Sequence, residues 1–118
     1  MNQNSFCKRK SETGERLLEV SLLILLSCNQ SHGYELMEKI SRLDFFQQDI
    51  NGSTLYRTLR KMENNKLVLS QWGVGIQGPK RRIYDITNFG KKELDSWILM
   101  LKSRKMSIEK LINNYENL

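Results

Sequence analysis

Residues 52–87 read GSTLYRTLRKMENNKLVLSQWGVGIQGPKRRIYDIT, and the change of period inside this stretch decides the fold. Leu55, Leu59 and Met62 recur at helical spacing, which predicts a helix over Ser53–Asn64 with these three side chains on one face. A step of about 100° per residue then puts Ser53, Arg57, Arg60, Lys61 and Asn64 on the opposite side. Asn65 is suited to a left-handed cap at the helix end. From Leu67 to Trp72 the pattern becomes β-like, Gly73–Pro79 is turn material, and Lys80–Thr87 is a second extended run in which Tyr84 and Ile86 share a face. The descending strand opens on Lys80-Arg81-Arg82. A helix with cations and small hydroxyls on its free face suits the major groove, because Arg forks onto guanine or phosphate while Ser and Thr permit close approach. A basic hairpin beside it would rest on phosphates or in the minor groove. The pattern is that of a winged helix-turn-helix.

Working outward, residues 1–10 are polar and basic and are expected to form a flexible arm. From Ser11 a first helix carries Leu17, Leu18, Val20 and Leu22–Leu26, apolar nearly all round, so it must be buried on more than one side. Ser31 is expected to cap a second helix bearing Leu36, Met37, Ile40 and Leu43, and residues 44–51, with Phe45, Phe46 and Ile50, read as a loop. Thr87 is expected to cap a last helix of about thirty residues that carries Leu94, Ile98, Leu101, Ile108, Leu111, Ile112, Tyr115 and Leu118 and has a polar interruption over residues 102–105. The fold class is mainly α with a β-hairpin wing. Residues 11–88 would be the DNA-binding domain and residues 89–118 an added helix.

The 118 residues suffice for one such domain, and 39% apolar content gives it a core. The net charge of +6 is unevenly spread: residues 1–51 carry 6 basic and 7 acidic side chains, residues 52–92 carry 9 and 2, and residues 93–118 carry 4 and 4. The excess therefore lies on the helix and hairpin, as a phosphate-facing surface requires. A membrane or an acidic protein is the competing partner for such charge. Cys7 and Cys28 form no CxxC pair, and His32 is the one histidine, so zinc lacks ligands. Lys8-Arg9-Lys10 followed by apolar residues and Cys28 imitates a lipoprotein signal. However, Glu12, Glu15 and Glu19 interrupt it, and the uninterrupted apolar run Leu22–Leu26 is too short for export or for a membrane span. Reduced thiols in a cytoplasm are expected. The Gly73–Gly78 match to GxGxxG precedes proline and a β-like run rather than a helix, so it is read as hairpin flexibility, not as a dinucleotide site. No nucleophile has a paired acid and base, and His32 is read as bonding near a helix end. Neither an enzyme nor a cofactor is expected.

Ser31-His-Gly-Tyr-Glu-Leu-Met-Glu-Lys-Ile40, Gly52-Ser-Thr-Leu-Tyr-Arg-Thr-Leu-Arg-Lys-Met-Glu63, Ser70-Gln-Trp72 and Gly78-Pro-Lys-Arg-Arg-Ile-Tyr-Asp-Ile-Thr87, with Gly90 after it, resemble the PadR family of bacterial transcriptional regulators. The resemblance implies a winged helix and a C-terminal helix that dimerises against the partner's N-terminal helix. It also implies repression of nearby promoters, relieved by a small molecule or a stress signal. It places Tyr34 near the DNA backbone, Ser53, Thr54 and Arg57 in the groove, Lys80, Arg81 and Arg82 on phosphates, and Tyr84 inside the wing. Asn51, Arg60 and Lys61 complete the candidate DNA contacts. Many members have proline after the Leu-Tyr pair, where this chain has Arg57, so base preference is expected to differ. The final helix is also short for the family.

Periodicity agrees on dimerisation, since a first helix apolar all round and a long apolar last helix expose more than one small core can cover. Leu18, Leu22, Leu94, Trp97, Ile98, Leu101, Ile108, Leu111, Ile112 and Tyr115 are the candidate dimer contacts, and a pseudo-palindromic operator follows. Trp97, Met100 and Leu101, with Cys28 and Trp72, are a candidate effector pocket, although an aromatic or methionine on a helix is more often core.

Overall fold

The computed structural model describes residues 3–43, 50–73 and 81–118, with side chains from residue 16 onward. The expected loop over residues 44–49, and residues 74–80 with most of the glycine motif and Lys80, lie outside the described residues. The elements run α1 (Gln3–Cys28), β1 (Ser31–His32), α2 (Gly33–Ser41), α3 (Gly52–Asn64), β2 (Val68–Gly73), β3 (Arg81–Ile86) and α4 (Asn88–Glu116). The fold is therefore mostly helical with a small antiparallel sheet of order β1-β3-β2.

Several local expectations change. The backbone is helical from Gln3 rather than from Ser11, so the segment expected as an arm continues α1. Ser31 does not cap α2. It pairs with Tyr84 in a two-residue strand that the sequence pattern had not indicated. The cap is His32, whose Nδ1 accepts from the Glu35 amide at 3.3 Å. Asn65 stays at φ −87°, and the left-handed residue is Lys66 at φ 65°. There the Lys66 amide donates to the Glu63 carbonyl and the Leu67 amide to the Met62 carbonyl, the paired bonds of a Schellman ending. The last helix is one element of 29 residues, as expected, and runs through the polar residues 102–105 because Lys and Arg are good helix formers whatever their polarity.

The core joins Leu18, Leu22, Leu23 and Leu26 of α1 to Leu36 and Ile40 of α2, to Leu55, Leu59 and Met62 of α3, and to Val68, Tyr84, Ile86 and Leu94. α1 touches α2, α3, β3 and α4, which accounts for its apolar circumference. Thr87 caps α4 by accepting from the Gly90 amide at 2.9 Å, and its hydroxyl reaches the Lys66 carbonyl at 2.7 Å. The start of α4 is thereby tied to the end of α3. Gly90 is required there, because a Cβ would run into the Leu67 carbonyl.

From Lys102 to Leu118 every residue is exposed, including Leu111 at 70% and Tyr115 at 78%, so the second half of α4 is bare. The chain has extents of 64 × 29 × 26 Å and a radius of gyration of 17.0 Å. A compact domain of this length would have about 13–14 Å.

Candidate nucleic-acid interface

α3 begins where the Asn51 side chain accepts from the Thr54 amide at 2.8 Å, so this candidate contact acts as the N-cap of the helix. With Leu55, Thr58, Leu59 and Met62 buried, the helix turns Ser53, Arg57, Arg60 and Asn64 outward as one exposed stripe, as periodicity predicts. Thr54 is half-buried beside that stripe. Lys61 leans the other way, its Nζ 3.9 Å from Glu19 Oε1 on α1. Its place is at the α1 edge of the exposed stripe, about 100° around the helix from Arg60.

A concave surface of about 560 Å³ separates α3 from the sheet, lined by Tyr34, Tyr56, Arg60, Trp72, Arg81 and Arg82 among others. Tyr56 closes against Gly33, where any side chain on residue 33 would collide with the ring. This contact brings the start of α2 to the flank of α3. Tyr34 is exposed there, and the Arg81 guanidinium stands 5.9 Å from its ring centroid. Arg82 lies 5.1 Å from the ring centroid of Trp72, its neighbour across the hairpin. The Arg82 Nη1 also donates to Ser70 Oγ at 3.1 Å and lies 3.6 Å from Glu63 Oε1, while Ser70 Oγ donates to Glu63 Oε2 at 2.8 Å. Tyr84 is buried beneath the strands, and burial pushes its hydroxyl up from the ordinary value.

Behind this surface, the Ser31 hydroxyl donates to Glu35 Oε2 at 2.7 Å. That bond holds the Glu35 carboxyl below the ordinary carboxylate value. Desolvation opposes it, and the charges of His32, Lys39 and Arg81 reinforce it. Glu35 also lies 3.2 Å from His32 Nε2, so the histidine is engaged on both nitrogens at the helix start.

The structure thus groups Tyr34, Arg60, Arg81 and Arg82 around one concavity, with Ser53 and Arg57 along the adjoining stripe. The sequence pattern had not assigned Tyr56, Glu63, Ser70 or Trp72 to this surface, and they complete the concavity. The Trp72–Arg82 pairing could have been found only by counting back from a known hairpin register.

The candidate dimer contacts divide in three. Leu18, Leu22 and Leu94 are 2%, 0% and 9% exposed within the single chain, where they pack in its core. Ile108, Leu111, Ile112 and Tyr115 are exposed, and Trp97, Ile98 and Leu101 are half-buried against the core. Trp97, Met100 and Leu101 do meet, with Arg16, Leu17, Val20 and Arg104, around a cavity of about 50 Å³ on the α1–α4 seam. Cys28 and Trp72 do not join them. Cys28 is exposed at the end of α1, and Trp72 belongs to the wing. Among the described residues there is no cluster of three or more metal-ligating acids, histidines or cysteines, and no helix long and apolar enough to cross a membrane.

Comparison with known proteins gives this arrangement a context. The family model described as "Transcriptional regulator PadR-like family" matches residues 22–96, which hold α2, α3, the hairpin and the first turns of α4. A probable transcriptional regulator of Mycobacterium tuberculosis is 33% identical over 78 residues, 66% of this chain and 41% of the relative, so the match spans less than half of that protein. The solved structure of a PadR-like transcriptional regulator from Bacillus cereus is similar at 26% identity and a TM-score of 0.71, covering 81% of this chain and 91% of that one. A PadR-like transcription factor from Bacteroides fragilis shares the fold, with a TM-score of 0.73 at 24% identity over 88% of this chain and 98% of its own.

Proposed function

The chain belongs to the PadR-like family of transcriptional regulators, and on that premise we propose that it is a sequence-specific repressor that binds a pseudo-palindromic operator as a homodimer. The observation that carries this reading is the exposed stripe of Ser53, Arg57, Arg60 and Asn64 beside a wing bearing Arg81 and Arg82. The stripe presents forked donors at the spacing of one groove-facing helix edge, while Arg81 of the wing and Tyr34 offer contacts to the flanking phosphates. Lys80 joins them by its place in the wing sequence. Asn51 serves by setting the angle at which α3 starts, and Lys61 adds charge at the rim.

Dimerisation is supported by the bare half of α4. Leu101, Ile108, Leu111 and Tyr115 follow a spacing of seven, then three and four, the seam of a helix that packs lengthwise on another. In this reading residues up to 88 bind DNA and residues 89–118 join the two copies. The 50 Å³ cavity beside Trp97 is far smaller than the roughly 300 Å³ at which small-molecule sites begin, so an effector would need the space enclosed by two copies. The reading includes no catalytic role, no cofactor and a cytoplasmic location.

The test is a footprint on the region upstream of the gene. Arg57→Ala should abolish the protected pattern while leaving weak binding to random duplex, a loss of about 1–3 kcal/mol in discrimination. Equal weakening on all sequences would reassign Arg57 to a phosphate.

A further inference from the structure

We infer that Arg82 is a positioning residue that fixes the wing against α3, and that it is not one of the cations contacting phosphate. The inference rests on the DNA-binding reading above but concerns a different step, how the wing acquires its angle.

Strand parity comes first. Arg82 alternates with Tyr84 and Ile86, both buried, and is paired across the hairpin with Trp72, as Tyr84 is with Ser70 and Ile86 with Val68. Arg82, Trp72 and Ser70 therefore occupy the sheet face that packs toward α3, whereas Arg81 has the opposite parity. The guanidinium meets three neighbours at once. Its carbon stands over the Trp72 ring, 5.1 Å from the centroid, and its Nη1 donates to Ser70 Oγ and lies 3.6 Å from Glu63 Oε1. The Ser70 hydroxyl completes the circuit by donating to the second oxygen of the same carboxylate. Three elements, α3 through Glu63, β2 through Ser70 and Trp72, and β3 through Arg82, thus converge on one planar cation. Glu63 offsets the charge that a phosphate would need, and the broad guanidinium reaches the ring and both oxygens together, which the compact ammonium of lysine does not.

Three signs separate positioning from phosphate contact. A phosphate-binding cation lowers the salt dependence of binding when removed and is replaced tolerably by lysine. An acid lying among phosphate contacts strengthens binding when neutralised. Removing the cation of a positioning circuit leaves the salt slope unchanged, lysine does not restore it, and neutralising its acid weakens binding.

The probe is a duplex recovered by the full-length wild-type chain from a random pool, with a scrambled duplex as reference. Arg82→Ala is expected to weaken the recovered duplex about tenfold with the salt slope unchanged, while Arg81→Ala lowers that slope by about one per protomer. Arg82→Lys should fail to restore binding, and Glu63→Gln should weaken it although it removes a negative charge. The double variant Glu63→Gln/Arg82→Ala should bind no worse than Arg82→Ala alone. A DNA-free measurement accompanies these: with 5-fluorotryptophan incorporated, Glu63→Gln should shift the Trp72 resonance, identified by Trp72→Phe, and leave that of Trp97 in place. Rescue by lysine, a slope lowered as in Arg81→Ala, or tighter binding by Glu63→Gln would overturn the inference. An unmoved Trp72 resonance would overturn it even without DNA. If the wild-type chain recovers no preferred duplex, the DNA-binding reading itself falls, an outcome distinct from any of these.

Discussion

Ser31 and His32 illustrate how single residues take roles their type alone does not announce. Both precede α2, and serine is the better capping residue by type, but pairing with Tyr84 draws Ser31 into the sheet and leaves the cap to the next position. The Ser31 hydroxyl is then free to hold the Glu35 carboxylate. Because that bond lowers the Glu35 pKa in the folded chain, its stabilisation is complete above the unfolded carboxylate value and is lost as pH falls through the folded one. Ser31→Ala should therefore lower the melting temperature at neutral pH. The gap from wild type should narrow as thermal unfolding is followed from about pH 7 to about pH 3. A gap that stays constant or widens would mean that the hydroxyl acts only by packing.

At the scale of elements, the parts with long, single-period patterns were legible in advance: α3 with its buried and exposed faces, the two hairpin strands, and the start of α4 at Thr87. What escaped depends on contacts between elements. β1 is two residues long and exists only because β3 is there to pair with it. The left-handed residue fell at Lys66 rather than Asn65 because the Schellman bonds, which lead Leu67 into the core beside Met62, set the stopping point, and preference by residue type yielded to them. The same joint receives Thr87 and Gly90, so the end of α3 and the start of α4 are one packed unit. Gly90→Ala forces a methyl group against the Leu67 carbonyl, which belongs to the backbone and cannot swing aside. A loss of about 3 kcal/mol is expected, read as a lower denaturant midpoint at unchanged slope.

The whole molecule is a packed head with half a helix projecting from it, and the exposed apolar residues of that half set its behaviour in solution. If the tail pairs with a second copy, Leu111→Lys should convert a sedimenting dimer at micromolar concentration to a monomer while helix content and the melting of the head stay near wild type. Operator affinity should fall by roughly two orders of magnitude or more, because the second half-site is no longer held nearby. A wild-type chain that sediments as a stable monomer would remove the seam from consideration. The candidate site was less legible than the fold for a related reason. Residue type and spacing identify which cations face outward, but whether a given arginine is spent on a neighbouring acid, as Arg82 is on Glu63, depends on strand register.

The continuity of α4 has one further mechanical consequence. Its 29 residues make a rod about 43 Å long, seated on the head from Gly90 through Leu94, Trp97, Ile98 and Leu101 and free over about its last 22 Å. Tilting the free part by about 5° where it leaves the head sweeps its tip through about 2 Å. In the proposed dimer the same lever, run backwards, would convert a displacement of a few ångströms at the tips into a rotation of the heads. The distance between two recognition helices, which must match a DNA repeat of about 34 Å, would then be adjusted from the end farthest from the DNA.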